Sequence, residues 1–159
     1  MHILRHVSIL AALTLAACGG SETSGCAGDG VTVSNAWLRA ADEGRTMSAA
    51  YAQLCNGSDT SDRLIAARFE GAAATEIHIT TTTEDGVSSM APMEQGLLLA
   101  PQGTAELAPG GAHIMLMGLT GPIAAGDEVA ITLQFENADP VTVMFEAMAP
   151  SDAAAHDHH

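Results

Sequence analysis

The stretch Glu128–Phe135 alternates without a break. Val129, Ile131, Leu133 and Phe135 share one side, and polar or small residues fill the other. A period of two belongs to a β-strand, whose successive side chains point to opposite faces. Val141, Val143 and Phe145 repeat the pattern a few residues on. Such alternation implies one buried face and one wet face. The chain before this region reads the same way, as short β-like runs at 31–38, 48–54, 63–69, 75–83, 97–99, 104–107 and 113–119. Turn-forming groups such as Asn56-Gly57, Pro101-Gln102-Gly103 and Pro109-Gly110-Gly111 separate them. No long helical period competes, although the Ala-rich 71–74 could form one helical turn. These features predict an all-β sandwich or barrel, built as a single domain over residues 31–149.

The two ends read differently. Residues 1–17 carry an early Arg5 and then an apolar run at 7–17, too short to span a bilayer, which takes about 20 residues. They have the form of a secretory signal. Leu15-Ala16-Ala17-Cys18 resembles a bacterial lipobox, which implies cleavage before Cys18 and a lipid on its thiol. By the same resemblance, Gly19 after the cysteine implies sorting to the outer membrane over the inner one in a Gram-negative host. Residues 18–30 are rich in Gly and Ser and read as a tether from the lipid to the domain. Residues 150–159 are small and polar and end in His156-Asp157-His158-His159. They cannot bury enough apolar surface to order themselves.

Charge narrows the function. The 159 residues carry a formal net charge of -14, and downstream of residue 17 the only cations are Arg39, Arg45, Arg63 and Arg68. Nucleic-acid binding needs basic patches against phosphate, so that class is excluded. The membrane is reached through the lipid alone. With Cys18 lipidated, Cys26 and Cys55 remain. An even pair in an exported protein suggests a disulfide, against the alternatives of free thiols or a soft metal pair; no CxxC-type spacing favours the last.

The motifs of catalysis are missing. There is no GxSxG, no phosphate loop, no HExxH helix and no evident acid–base pair. A non-enzymatic role follows as the expectation. Metal chemistry finds more support. His113-Ile114-Met115 lies in a β-like run, so His113 and Met115 share a face. Thioethers are soft donors that suit Cu(I), whereas hard cations prefer oxygen. His78 lies in another β-like run, and Met90 lies in a predicted loop before Pro92. Periodicity alone leaves the alternative that these methionines are packing residues, since Met fills irregular cores. Met117 shares the same face, and Met47, Met93 and Met144 read as core or surface filler.

The segment 107–119, LAPGGAHIMLMGL, resembles the hallmark of the periplasmic copper chaperones called PCu(A)C. Ala36-Trp37-Leu38-Arg39-Ala40, Ser48-Ala49-Ala50-Tyr51, Asp62-Arg63-Leu64, Glu76-Ile77-His78, Gly86-Val87-Ser88-Ser89-Met90-Ala91-Pro92 and Gly126-Asp127 match the same family in order. The resemblance implies a cupredoxin-like Greek-key fold and a Cu(I) site made by His78, Met90, His113 and Met115. It further implies delivery of copper to the CuA-bearing subunit of cytochrome c oxidase, with an Sco-type partner. Eleven residues separate His78 from Met90 and twenty-two separate Met90 from His113, each one more than in the family pattern. Thr80 and Ser88 stand where some relatives have further methionines. Both imidazoles must be neutral to ligate, so affinity should fall as pH drops through their titration range. His156, His158 and His159 form a candidate accessory site for Cu(II). Two further readings remain open at this point: a copper-scavenging or storage lipoprotein without an oxidase role, and a structural sandwich with Met in its core.

Overall fold

The structure, a computed structural model, describes residue 26 and residues 28–149. The expected signal at 1–17, the lipidation site Cys18, the tether up to residue 25 and the tail with His156, His158 and His159 lie outside the described residues. Ten strands follow in order: β1 Val31–Arg39, β2 Met47–Asn56, β3 Asp62–Arg68, β4 Ala72–Thr82, β5 Ser88–Pro92, β6 Leu97–Leu99, β7 Thr104–Leu107, β8 Ala112–Leu119, β9 Glu128–Phe135 and β10 Val141–Met148.

Hydrogen bonds link them in the order β5-β4-β8-β2-β1-β10-β9-β3-β6, with β7 paired to β2 beyond the end of β8. Every pairing is antiparallel except β1 with β10. The sheet is open, with no ladder between β3 and β4, but it curls so that β3 lies against β4 and the Thr75 hydroxyl donates to the Ala67 carbonyl. Its inner faces meet in one core. Leu38, Leu54, Ile114, Leu116, Ile131, Leu133 and Phe145 are fully buried there. Each such side chain contributes roughly 1.5–3 kcal/mol relative to exposure. The alternation in β9 and β10 is therefore the inward face that supplies Ile131, Leu133 and Phe145.

Two local expectations change. Residues 72–74 are strand, not helical turn. Ala72 pairs with Leu119 and Ala74 with Met117, so the ladder overrides the helix propensity of alanine. Met90 sits in β5, not in a loop. The hairpin partner β4 aligns Thr80 with Met90, and hydroxyl pairs join Thr81 to Ser89 at 3.1 Å and Thr82 to Ser88 at 2.8 Å. Every residue of β5 is exposed, so no apolar alternation marks it in the sequence.

A β-bulge shapes β1. The register shifts between Ser34 and Trp37, and Asn35 has a φ of 51°, a conformation Asn tolerates better than most residues. The shift keeps both Val33 and Leu38 toward the core and turns Trp37 outward against Tyr51, with ring centroids 4.4 Å apart.

Cys26 is joined to Cys55 by a disulfide, with Cα atoms 5.5 Å apart. The Gly57 N–H donates to the Gly30 carbonyl at 2.9 Å nearby. The chain ahead of β1 is thus fastened to the end of β2. At the β9–β10 connection, the buried Asp62 accepts from the backbone N–H groups of Asn137 and Ala138 at 3.0 and 2.8 Å. Burial opposes its charge, but these bonds, with those from the Arg63 N–H and the Asn137 side chain, hold its carboxyl below the usual range.

Candidate metal centre

Three strands carry the four candidate ligands: β4 holds His78, β5 Met90, and β8 both His113 and Met115. Core contacts of Ile77, Ala112, Ile114 and Leu116 turn the alternate residues of β4 and β8 outward. The register then sets rows of facing side chains across β4, β8 and β2. His78 faces His113. Glu76, Met115 and Ala49 form the next row, and Ala74, Met117 and Met47 the one after. Directly opposed residues have Cβ atoms about 4.5–5.5 Å apart. The two imidazoles are therefore immediate cross-strand neighbours, with ring centroids 6.1 Å apart.

Each ring is held through one nitrogen. His113 Nδ1 lies 3.0 Å from the Gly111 carbonyl, and His78 Nε2 lies 2.9 Å from Glu76 Oε2. A carbonyl and a carboxylate accept only, so in the neutral rings these nitrogens carry the protons. The lone pairs fall on His78 Nδ1 and His113 Nε2. Both of these atoms are buried and, among the described residues, have no hydrogen-bond partner. A buried nitrogen without a partner is costly, and two of them on facing rings fit a shared ion. Metal–imidazole bonds of about 2 Å, the length known for zinc, suit rings at this separation.

Local sequence explains the holding contacts. Ala108-Pro109-Gly110-Gly111 forms a tight turn, with the Gly111 N–H donating to the Ala108 carbonyl at 3.0 Å and Gly110 at a φ of 77°. Pro at the second place and a left-handed Gly at the third are what a type II turn requires. The turn leaves the Gly111 carbonyl to receive the Thr80 N–H and to face His113. His113 is only 3% exposed, and the outward Tyr51 ring lies 6.3 Å from it. The Arg39 guanidinium lies 5.8 Å over the same Tyr51 ring.

Met115 follows His113 on the same face and is half-buried. Met90 stands beside Thr80, one strand over and two residues along from His78, and is 52% exposed. Met90, His113 and Met115 all line a cleft of about 600 Å³, which Met47, Tyr51 and Arg39 help to wall. The structure thus brings His78, His113 and Met115 into adjacent positions and sets Met90 on the flanking hairpin at the cleft. Among the described residues, no group of three His, Cys, Asp or Glu side chains could hold a metal. The donors on offer are two imidazoles and several thioethers, a soft set. The sulfurs of Cys26 and Cys55 are bonded to each other and form no soft metal pair.

Glu76 was missed as a functional residue. It stands two positions before His78, and the strand period would have put both on one face. Such outer partners orient ligands and raise their basicity. Glu76→Gln is expected to lower Cu(I) affinity by about 10–100-fold while leaving stoichiometry unchanged. Competition against a Cu(I) chelator reads this directly, and an affinity equal to the parent would show that the carboxylate does not set the ring.

Comparison with known proteins gives a consistent picture. The family described as "Putative lipoprotein LpqE-like" matches residues 31–147. A protein of Leifsonia xyli subsp. xyli, "Putative lipoprotein Lxx21020", is 37% identical over 125 residues, covering 77% of this chain and 74% of its own length. The copper-bound PCuAC domain from PmoF2 superposes with a TM-score of 0.65 at 29% identity, covering 77% of this chain and 95% of that one. The Cu(I) form of DR1885 from Deinococcus radiodurans gives a TM-score of 0.52 at 30% identity, covering 74% of this chain and 77% of that one. These neighbours share the cupredoxin-like β fold.

Proposed function

The chain belongs to the LpqE-like lipoprotein family, and on that footing we propose that it is an exported Cu(I) carrier which binds one ion through His78, His113, Met115 and Met90. The observation that carries this reading is the pair of buried, unpartnered nitrogens, His78 Nδ1 and His113 Nε2, on facing strands beside a thioether. The copper-bound neighbours support copper as the cargo.

The residues divide the work. Glu76 and the Gly111 carbonyl fix the two rings with their lone pairs inward. Met115 supplies a soft donor from the same strand as His113. Met90, on an exposed edge strand, is the ligand an incoming protein can displace first. Thioethers and neutral imidazoles exchange more readily than thiolates, as a carrier requires. The recipient in this proposal is the CuA-bearing subunit of cytochrome c oxidase, with an Sco-type protein as the second partner. A lipid on Cys18 would hold the carrier at the periplasmic face of a membrane, the outer one by the residue that follows. His156, His158 and His159 would add a separate nitrogen-rich site for Cu(II).

The test is anaerobic titration of the apo protein with Cu(I) against a competing chelator, followed by mixing with a CuA domain. One tight equivalent is expected, passing to the CuA domain. Truncation of the last four residues should leave that equivalent in place. No tight Cu(I) equivalent would end the proposal. Binding without transfer to the CuA domain would leave a scavenging or storage protein instead.

A further inference from the structure

We propose that Met47, Met115 and Met117 form a second, all-thioether Cu(I) site on the outer face, one step along the strands from the two imidazoles. It rests on the carrier reading only for its biological use, since the site itself is built without either histidine.

The placement comes from register. Met47 of β2 stands directly opposite Met117 of β8, and Met115 lies two residues back along β8 on the same face. Opposed Cβ atoms are about 4.5–5.5 Å apart, and two residues along a strand span about 6.5–7 Å. Three flexible thioethers therefore share one patch of the sheet. Their flanking neighbours on that face are small or already engaged: Ala49 and Ala74 present only a methyl group, and the Glu76 carboxylate is bound to His78.

Packing does not account for these residues. Met93 packs against the main core, and Met148 packs against Trp37 and Tyr51. Met115 and Met117 belong to neither cluster, and Met47 is 56% exposed while walling the cleft. An exposed thioether facing a second one, with a third beside it, presents three soft donors, and the one neighbouring carboxylate, Glu76, is engaged by His78. That set selects monovalent copper over hard or borderline cations.

Met115 belongs to both sites. An ion can then move by ligand exchange without a change of oxidation state. Its bonds to His78 Nδ1, His113 Nε2 and the Met90 sulfur break as bonds to the Met47 and Met117 sulfurs form, and the Met115 sulfur stays bound. The second site would be the weaker of the two, lacking nitrogen donors, and the more open. It gives the ion a place to stand at the surface before a partner takes it.

Ag(I), a redox-inert stand-in for Cu(I), separates the two sites in the full-length protein labelled at its methionine methyl groups. In the parent, the first equivalent should shift the Met90 and Met115 methyls, and the second, more weakly bound with the Met115 sulfur shared between the two ions, should shift those of Met47 and Met117. In His78→Ala with His113→Ala, the shifts at Met47 and Met117 should persist, now from the first equivalent. In Met47→Leu with Met117→Leu, which keeps side-chain volume, the first equivalent should remain and the second should weaken at least tenfold. Methyl signals of Met47 and Met117 that stay still through two equivalents would overturn the proposal. So would a second equivalent that moves only the rings of His156, His158 and His159. If the imidazole site fails but the Met47 and Met117 shifts appear, the carrier reading falls and this site stands.

Discussion

His113→Ala combined with Met115→Ala is expected to weaken Cu(I) binding by well over the roughly 100-fold that marks the upper end of outer-partner losses. The reason is geometric. The change removes one of two facing nitrogens and the one thioether adjacent to it, leaving His78 with a single buried lone pair and the distant Met90. The fold should survive. Ile114 and Leu116, which anchor β8 in the core, are untouched, and Met115 lies outside that core. His113 is buried beside Tyr51, so a loss of about 2 kcal/mol is expected from the vacated space. Chelator competition and a denaturation curve on the same sample separate the two effects. Full affinity in this variant would show that copper, if bound, sits elsewhere.

The second large effect concerns the disulfide. Cys26→Ser with Cys55→Ser is expected to lower stability by about 3.5 kcal/mol, the chain-entropy value for a closed loop of this length; the separation is 29 residues. Urea unfolding should show a lower midpoint with a somewhat steeper slope, because the denatured chain without the cross-link exposes more surface, and Cu(I) affinity should stay at the parent value because the bond lies away from the imidazoles. An unchanged midpoint would mean the β1–β2 pairing alone suffices to fasten the start of the domain. A drop in copper affinity would reopen a role for sulfur of these cysteines.

Much of this fold was readable from period and turns. The strict alternation of 128–135 and 141–147 describes surfaces that bury one face, and hydrophobic burial is what writes such a pattern. β5 escaped because it buries nothing. Its serines, Met90 and Pro92 are chosen by the edge of a hairpin, where solvent imposes no alternation. The bulge at Asn35 escaped for a related reason: a shifted register changes which side Trp37 faces, and a single strand read alone does not show its partner. At the site, period two joins His113 to Met115 and would have joined Glu76 to His78. The facing of His78 and His113 is different. It depends on β4 pairing with β8 across a long stretch of chain, and the intervening β5, β6 and β7 leave no local trace of that choice. Family resemblance supplied His78 and Met90 as ligands, and the sheet gives a physical account of His78 more directly than of Met90.

The fastening of Cys26 to β2 also sets a range of action. Cys18 precedes Cys26 by eight positions, and eight residues pulled taut reach no more than about 28 Å. With lipid on Cys18, the copper face would patrol a thin layer above the bilayer and not the full depth of an envelope. Encounters with a membrane-bound acceptor would then occur in two dimensions, at a local concentration fixed by that leash. An acceptor whose docking face stands far above the lipid would be out of reach, however well it matched the site.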